Sequence, residues 1–199
     1  MIVGESDPGS FLNPSYPFCW TPQAGIRELQ VPTGMVREET AAYAVSGNGL
    51  IIMGGGYLQR NSIIWRDLTP ELLVPPDGWS EFKALSLSES GDVAVGTMVT
   101  RPQQGPGQSA NVIYTLQNGI MFAPEFFAMH GITFPETGRL TINCVSGNGL
   151  TFAGSYFDPI LGVPTQGIII TIPNPAPFTI LAAFSAIGVT RRRKHNKHT

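Results

Sequence analysis

His130 is the one histidine outside the carboxyl-terminal tail, and it stands in the segment "PEFFAMHGITFPETGR" (Pro124 to Arg139) with Glu125, Phe126, Phe127, Glu136 and Arg139. An imidazole, two carboxyls, a guanidinium and aromatic faces within sixteen residues are a set that can hold a polar ligand, and an extended loop on a rigid scaffold is where such groups often sit. Two carboxylates facing each other about 5 to 10 Å apart would instead allow glycoside hydrolysis. The favoured reading is plainer: the segment folds its phenylalanines over an exposed sheet edge. The rest of the chain supports no catalytic assignment. It has no G-x-S-x-G elbow, H-E-x-x-H pair or phosphate-binding loop. Glu38, Glu39 and Asp92 do not supply the closely spaced oxygens around a glycine that a calcium loop needs. Cys19 and Cys144 lack metal-ligand spacing and are read as free thiols rather than a disulfide. No catalytic residue, cofactor or metal is expected.

What positions the segment is a repeat. "VSGNGL" at Val45 to Leu50 returns at Val145 to Leu150, and its flanks agree: "AYAVSGNGLIIMGGGY" (Ala42 to Tyr57) against "TINCVSGNGLTFAGSY" (Thr141 to Tyr156). A worn copy, "ALSLSESGDVAVGTM" (Ala84 to Met98), lies between, with Ser88, Gly91 and Gly96 in the matching places. Each unit also begins alike, with Trp20, Trp65 and Tyr114 in register, and the offsets from Ser46 to Ser88 and from Ser88 to Ser146 are 42 and 58 residues. The excess in the longer interval is the segment around His130. Such a period implies one supersecondary unit stacked on its neighbours.

Within a unit the apolar residues fall in short runs with a period near two, bounded by glycine and asparagine, which reads as strand. Asn48-Gly49 and Asn148-Gly149 suit tight hairpin turns, so the hexapeptide is read as strand end, turn and strand start, not as a ligand loop. The first unit holds about four strands, Phe18 to Thr21, Ile26 to Val31, Ala42 to Ser46 and Leu50 to Gly55. The expected fold is therefore all-β: a partial β-propeller-like array of about three four-stranded units, 18–60, 61–110 and 111–164, with partial units at both ends of a domain spanning 1–173. The recurring aromatics are assigned to packing between units. "MIVGES" at the start resembles the tail of a unit whose beginning is missing.

Composition agrees. Charged residues are 13% of the chain, about half the usual share of roughly 25%, while 23 glycines and 17 prolines mark a turn-rich chain. Five of the twelve basic residues lie between Arg191 and Lys197, leaving seven against fourteen acids elsewhere, so the body carries −7. That body has no basic face for nucleic acid.

From Pro173 the composition changes: "PNPAPFTILAAFSAIGVTRRRKHNKHT" is a proline-punctuated spacer, an apolar stretch from Phe178 to Thr190 and a basic cluster. Residues 174–199 are expected to form a second segment with a hydrophobic helix. Thirteen residues of helix span about 20 Å, short of a hydrocarbon core of about 30 Å, with the arginines held on the inner side. The order of Pro175, Ala176 and Pro177, a short apolar run and then Arg191, Arg192 and Arg193 resembles the PEP-CTERM sorting signal of exported bacterial proteins, with Ala176 where the motif has an acid. The resemblance implies an exosortase-like processing protease as partner, transient residence of 178–190 in the inner membrane, and release or attachment at the cell surface. Trp20, Thr21, Gly25, Leu29, Ala42, Val45, Ser46, Gly49 and Gly54 are similar to HAF-type extracellular repeats. Together these imply an exported structural or binding protein. No signal peptide is visible at the amino end. The competing reading is a propeller-type hydrolase acting on surface polysaccharide.

Overall fold

A computed structural model describes residues 1–6, 16–56, 62–100, 107–160 and 162–173. The expected hydrophobic helix, the proline motif and the arginine cluster, together with the 174–199 segment that holds them, lie outside these residues. Strands account for 57% of the structure and fall into four antiparallel sheets. The first sheet is β1 (Ile2–Ser6), β2 (Tyr16–Thr21) and β3 (Gly25–Glu28), in that order. The second is β4 (Thr40–Val45), β5 (Ile51–Gly56), β6 (Ser62–Arg66) and β7 (Thr69–Leu73). The third is β8 (Ser80–Leu87), β9 (Val93–Val99), β10 (Ser109–Thr115) and β11 (Gly119–Phe122); the fourth is β12 (Arg139–Val145), β13 (Thr151–Asp158) and β14 (Val163–Thr171).

All four strands expected in the first sequence unit form, but β2 and β3 belong to the first sheet and β4 and β5 to the second. Repeat and sheet share one period and differ in phase by two strands. The cause is local: the hexapeptide makes the tight turn between the first two strands of a sheet, so a sheet begins just before it, whereas Trp65 and Tyr114, which open the next sequence units, sit on the third strands β6 and β10.

The hexapeptide's serine explains its recurrence. The Ser46 N–H donates to the Ile51 carbonyl at 2.8 Å, and the Gly49 N–H donates back to the Ser46 carbonyl at 2.9 Å. The Ser46 hydroxyl oxygen accepts from the Ile51 N–H at 3.0 Å and donates to Asn48 Oδ1, which accepts from the Leu50 N–H. Ser146 and Asn148 repeat every one of these bonds, and Ser88 repeats the backbone pair and the hydroxyl bond to the Val93 N–H. Gly49, Gly91 and Gly149 have φ of 75°, 80° and 73°, a left-handed conformation that glycine adopts without cost from a Cβ. The turns are also strung together, because the Asn48 N–H donates to the Glu89 carbonyl and the Glu89 N–H to the Gly147 carbonyl.

Three cores separate the four sheets. Cys19, Leu29, Ala42, Ile52, Ile63 and Trp65 fill the space between the first and second. Ala44, Met53, Ile64, Phe82, Ala94 and Tyr114 fill the next, and Val95, Ile113, Phe126, Phe127, Phe152 and Ile170 the last. Trp65 and Tyr114 are buried between sheets as expected, and the Trp65 indole N–H donates to the Gln30 carbonyl. Trp20, on the outer face of the first sheet, is half-buried.

Candidate binding cleft

The excess segment is more ordered than the loop expected of it. It opens with a short helix, α1 (Ala123–Ala128), with Pro124 in its first turn, where a missing N–H costs nothing. Helical spacing turns Phe126 and Phe127 inward, and both are buried. Their rings meet edge-on with centroids 5.5 Å apart; Phe127 lies 5.2 Å from Phe152 and 5.9 Å from Phe134. His130 stacks against Phe126 at 4.7 Å, with Nδ1 2.9 Å from the Phe126 carbonyl oxygen. Phe126 and Phe127 belong to the core between the third and fourth sheets, and His130 sits half-buried at its edge. Glu136 is exposed and is not among the residues that line the cleft described next.

Glu125 and Arg139 do come together on a common concavity. A cleft of about 850 Å³ opens where the third and fourth sheets diverge, with Trp79, Phe122, Thr97, Asn111, Glu125 and Arg139 among its lining residues. Its apolar wall is the edge-on pair Trp79 and Phe122, with centroids 5.3 Å apart. Its floor is tied by Asn111, whose Oδ1 accepts from the Ile142 N–H at 2.8 Å and whose amide reaches the Gly96 carbonyl at 3.4 Å, joining the two sheets. Glu125 is the one carboxylate among the described lining residues, and neither it nor Arg139 forms an ion pair there. Sequence reading passed over Trp79, although a signal existed: of three tryptophans, Trp20 and Trp65 keep the repeat register and Trp79 does not.

Asp158 was also overlooked. It is fully buried at the end of β13, where its carboxylate accepts from the Thr137 hydroxyl at 2.7 Å, the Tyr156 hydroxyl at 3.2 Å and the Ile160 N–H at 3.0 Å. This clasps the end of the excess segment to the fourth sheet. Desolvation, and then the Asp158 carboxylate, raise the Tyr156 phenol above its ordinary value of 10.0.

A second concavity, about 370 Å³, runs beside β1, β4 and β8 and includes Glu5, Tyr43 and Lys83. Tyr43 donates to Glu81 at 3.2 Å, and the Lys83 ammonium sits 5.2 Å from the Tyr43 ring. Cys19 is buried, Cys144 is exposed, and both are free. Among the described residues no three His, Cys, Asp or Glu side chains are grouped to hold a metal, and no helix is long and apolar enough to cross a membrane.

No protein-family model and no curated protein sequence matches the chain. Among solved structures it is similar to the crystal structure of the tricorn protease, with 11% identity and a TM-score of 0.51 over 84% of this chain and 17% of that one. TolB from Acinetobacter baumannii is similar over 86% of this chain and 39% of that one, with 10% identity and a TM-score of 0.48. The tricorn protease contains β-propeller domains. The fold is β-propeller-like. At such identity the likeness establishes architecture alone, and this chain spans well under half of either neighbour's length.

Proposed function

We propose that this β-propeller-like chain is an exported, non-catalytic binding module whose ligand site is the cleft between the third and fourth sheets. The observation that carries the reading is the make-up of that cleft: Trp79 and Phe122 form an aromatic wall facing a polar rim of Thr97, Gln108, Glu125, Arg139 and Thr141. An aromatic face packs on the C–H side of a sugar ring while amides, hydroxyls and charges bond its hydroxyls, so an oligosaccharide suits the site. The hydrolase reading gains no support, since it needs a facing pair of carboxylates and Glu125 stands there without Glu136. Calorimetric titration of the full chain with neutral and acidic oligosaccharides tests the site. Binding that Trp79→Ala weakens at least tenfold, about 1.4 kcal/mol, is expected. No binding, or binding indifferent to Trp79, overturns it.

Export rests on the tail. Pro175, Ala176, Pro177 and Arg191 to Arg193 would be recognised by an exosortase-like protease after 178–190 enters the inner membrane, which leaves the repeat domain at or beyond the cell surface. Replacing the three arginines with glutamine is expected to block processing in the native cell. Unchanged processing and location would count against a sorting role.

A further inference from the structure

Each sheet interface inside the chain is built from two rows of side chains. One row comes from the face turned toward the preceding sheet: Ile52, Trp65 and Pro70 in the second sheet, and Ala94, Tyr114 and Ile120 in the third. The other comes from the face turned toward the following sheet, as with Ala44, Met53 and Ile64 in the second. Ala44, Met53 and Ile64 pack directly with Ala94 and Tyr114 in one core. In these rows Ile52 is 1% exposed, Trp65 and Ala94 0%, and Met53 1%.

The same two rows recur at the two ends of the array with no sheet against them among the described residues, although Trp20 is half-buried and Arg37 lies over Tyr16 farther along the first sheet's outer face. In register with Ile52, Trp65 and Pro70, the first sheet presents Ile2, Trp20 and Ile26, of which Ile2 is 57% and Ile26 74% exposed. In register with Ala44, Met53 and Ile64, the fourth sheet presents Cys144, Ala153 and Ile169, the last 78% exposed. One end thus carries the aromatic half of an inter-sheet core and the other carries the small and aliphatic half. The halves are complementary to each other and not to themselves, which selects a head-to-tail partner over a face-to-face one.

We propose that two copies of this chain close head to tail, the fourth sheet of each covering the first sheet of the other, with Trp20 taking the place at the junction that Trp65 and Tyr114 hold within the chain. Two copies bring eight of the described sheets around one axis, within the range of about 4 to 8 that closed propellers use. The junction is separate from the cleft, which lies between sheets of one copy.

Native mass spectrometry and light scattering of the full chain test this. The expected species has twice the 21.4 kDa mass of the chain. Ile26→Lys and Ile169→Lys, each on an already exposed side chain, are expected to keep the wild-type circular dichroism and to run as monomers. Mixing the two variants is expected to restore a dimer, because one intact junction remains between them. A monomeric wild-type chain overturns the proposal and leaves the faces to further sheets of another source. Dimers that survive either single substitution overturn it too, since they show association through like faces or through another surface. Open-ended oligomers overturn the closed pair.

Discussion

At the scale of single residues, the repeat is held by positions where only one side chain fits. Gly54, Gly96 and Gly154 lie opposite bulges in β4, β8 and β12, and a Cβ on any of them would be driven into the backbone carbonyl of Ala41, Lys83 or Thr141. The inner strand bends at each bulge because its partner has no side chain there. Gly154→Ala is expected to destabilise the protein by about 1–3 kcal/mol, the cost of overpacking. Gly167→Ala, where an added methyl meets nothing within 4 Å, is expected to be neutral or to stabilise by about 0.5 kcal/mol. Urea unfolding of both variants checks the contrast. Ser46 and Ser146 belong to the same class, since each hydroxyl serves its hairpin as acceptor and donor at once.

At the scale of elements, the excess segment is a plug and not a free loop. Phe127, 0% exposed and ringed by Phe126, Phe134 and Phe152, joins α1 to the fourth sheet. Phe127→Ala is expected to cost about 3–5 kcal/mol, whereas His130→Ala, at the edge of the same cluster, is expected to cost under about 1.5 kcal/mol and to leave oligosaccharide binding unchanged. Thermal melts and the calorimetric titration measure these effects. The clasp at Asp158 gives the element a pH dependence. Because Tyr156 titrates higher in the folded chain than in the unfolded one, its contribution is full below its ordinary value near 10 and is lost as pH rises through the folded value. Unfolding midpoints between about pH 9 and 11.5 should fall with rising pH, and Tyr156→Phe should flatten part of that fall. A slope identical in the variant would remove Tyr156 from the account.

At the scale of the whole molecule, the three cores form a series in which each inner sheet depends on two neighbours and each end sheet on one. Trp65→Ala opens a core shared by two sheets and is expected to cost about 3–5 kcal/mol. Trp20→Ala, on the outer face of the first sheet that no described sheet covers, is expected to change the monomer's melt far less and to act instead on association. Equal thermal effects of the two substitutions would place Trp20 in a closed core.

The sequence by itself determined the all-β class, the repeated unit and the places of its turns, because hairpin chemistry is local: Ser46, Asn48 and Gly49 bond within six residues of one another, and their spacing is the signal. It also placed Trp65 and Tyr114 in the packing, since a large apolar residue recurring in register has one economical destination. Tertiary structure alone decided the phase of the sheets, the ends at which complementary faces remain, and the division of the segment around His130. Glu125, Phe126 and Phe127 are adjacent in the chain, yet a helical turn sends the first to the cleft and the other two into the core. The aromatic wall of that cleft includes Trp79, dozens of residues earlier, and no local pattern announces a contact made only when β8 and β11 come to opposite edges of one sheet.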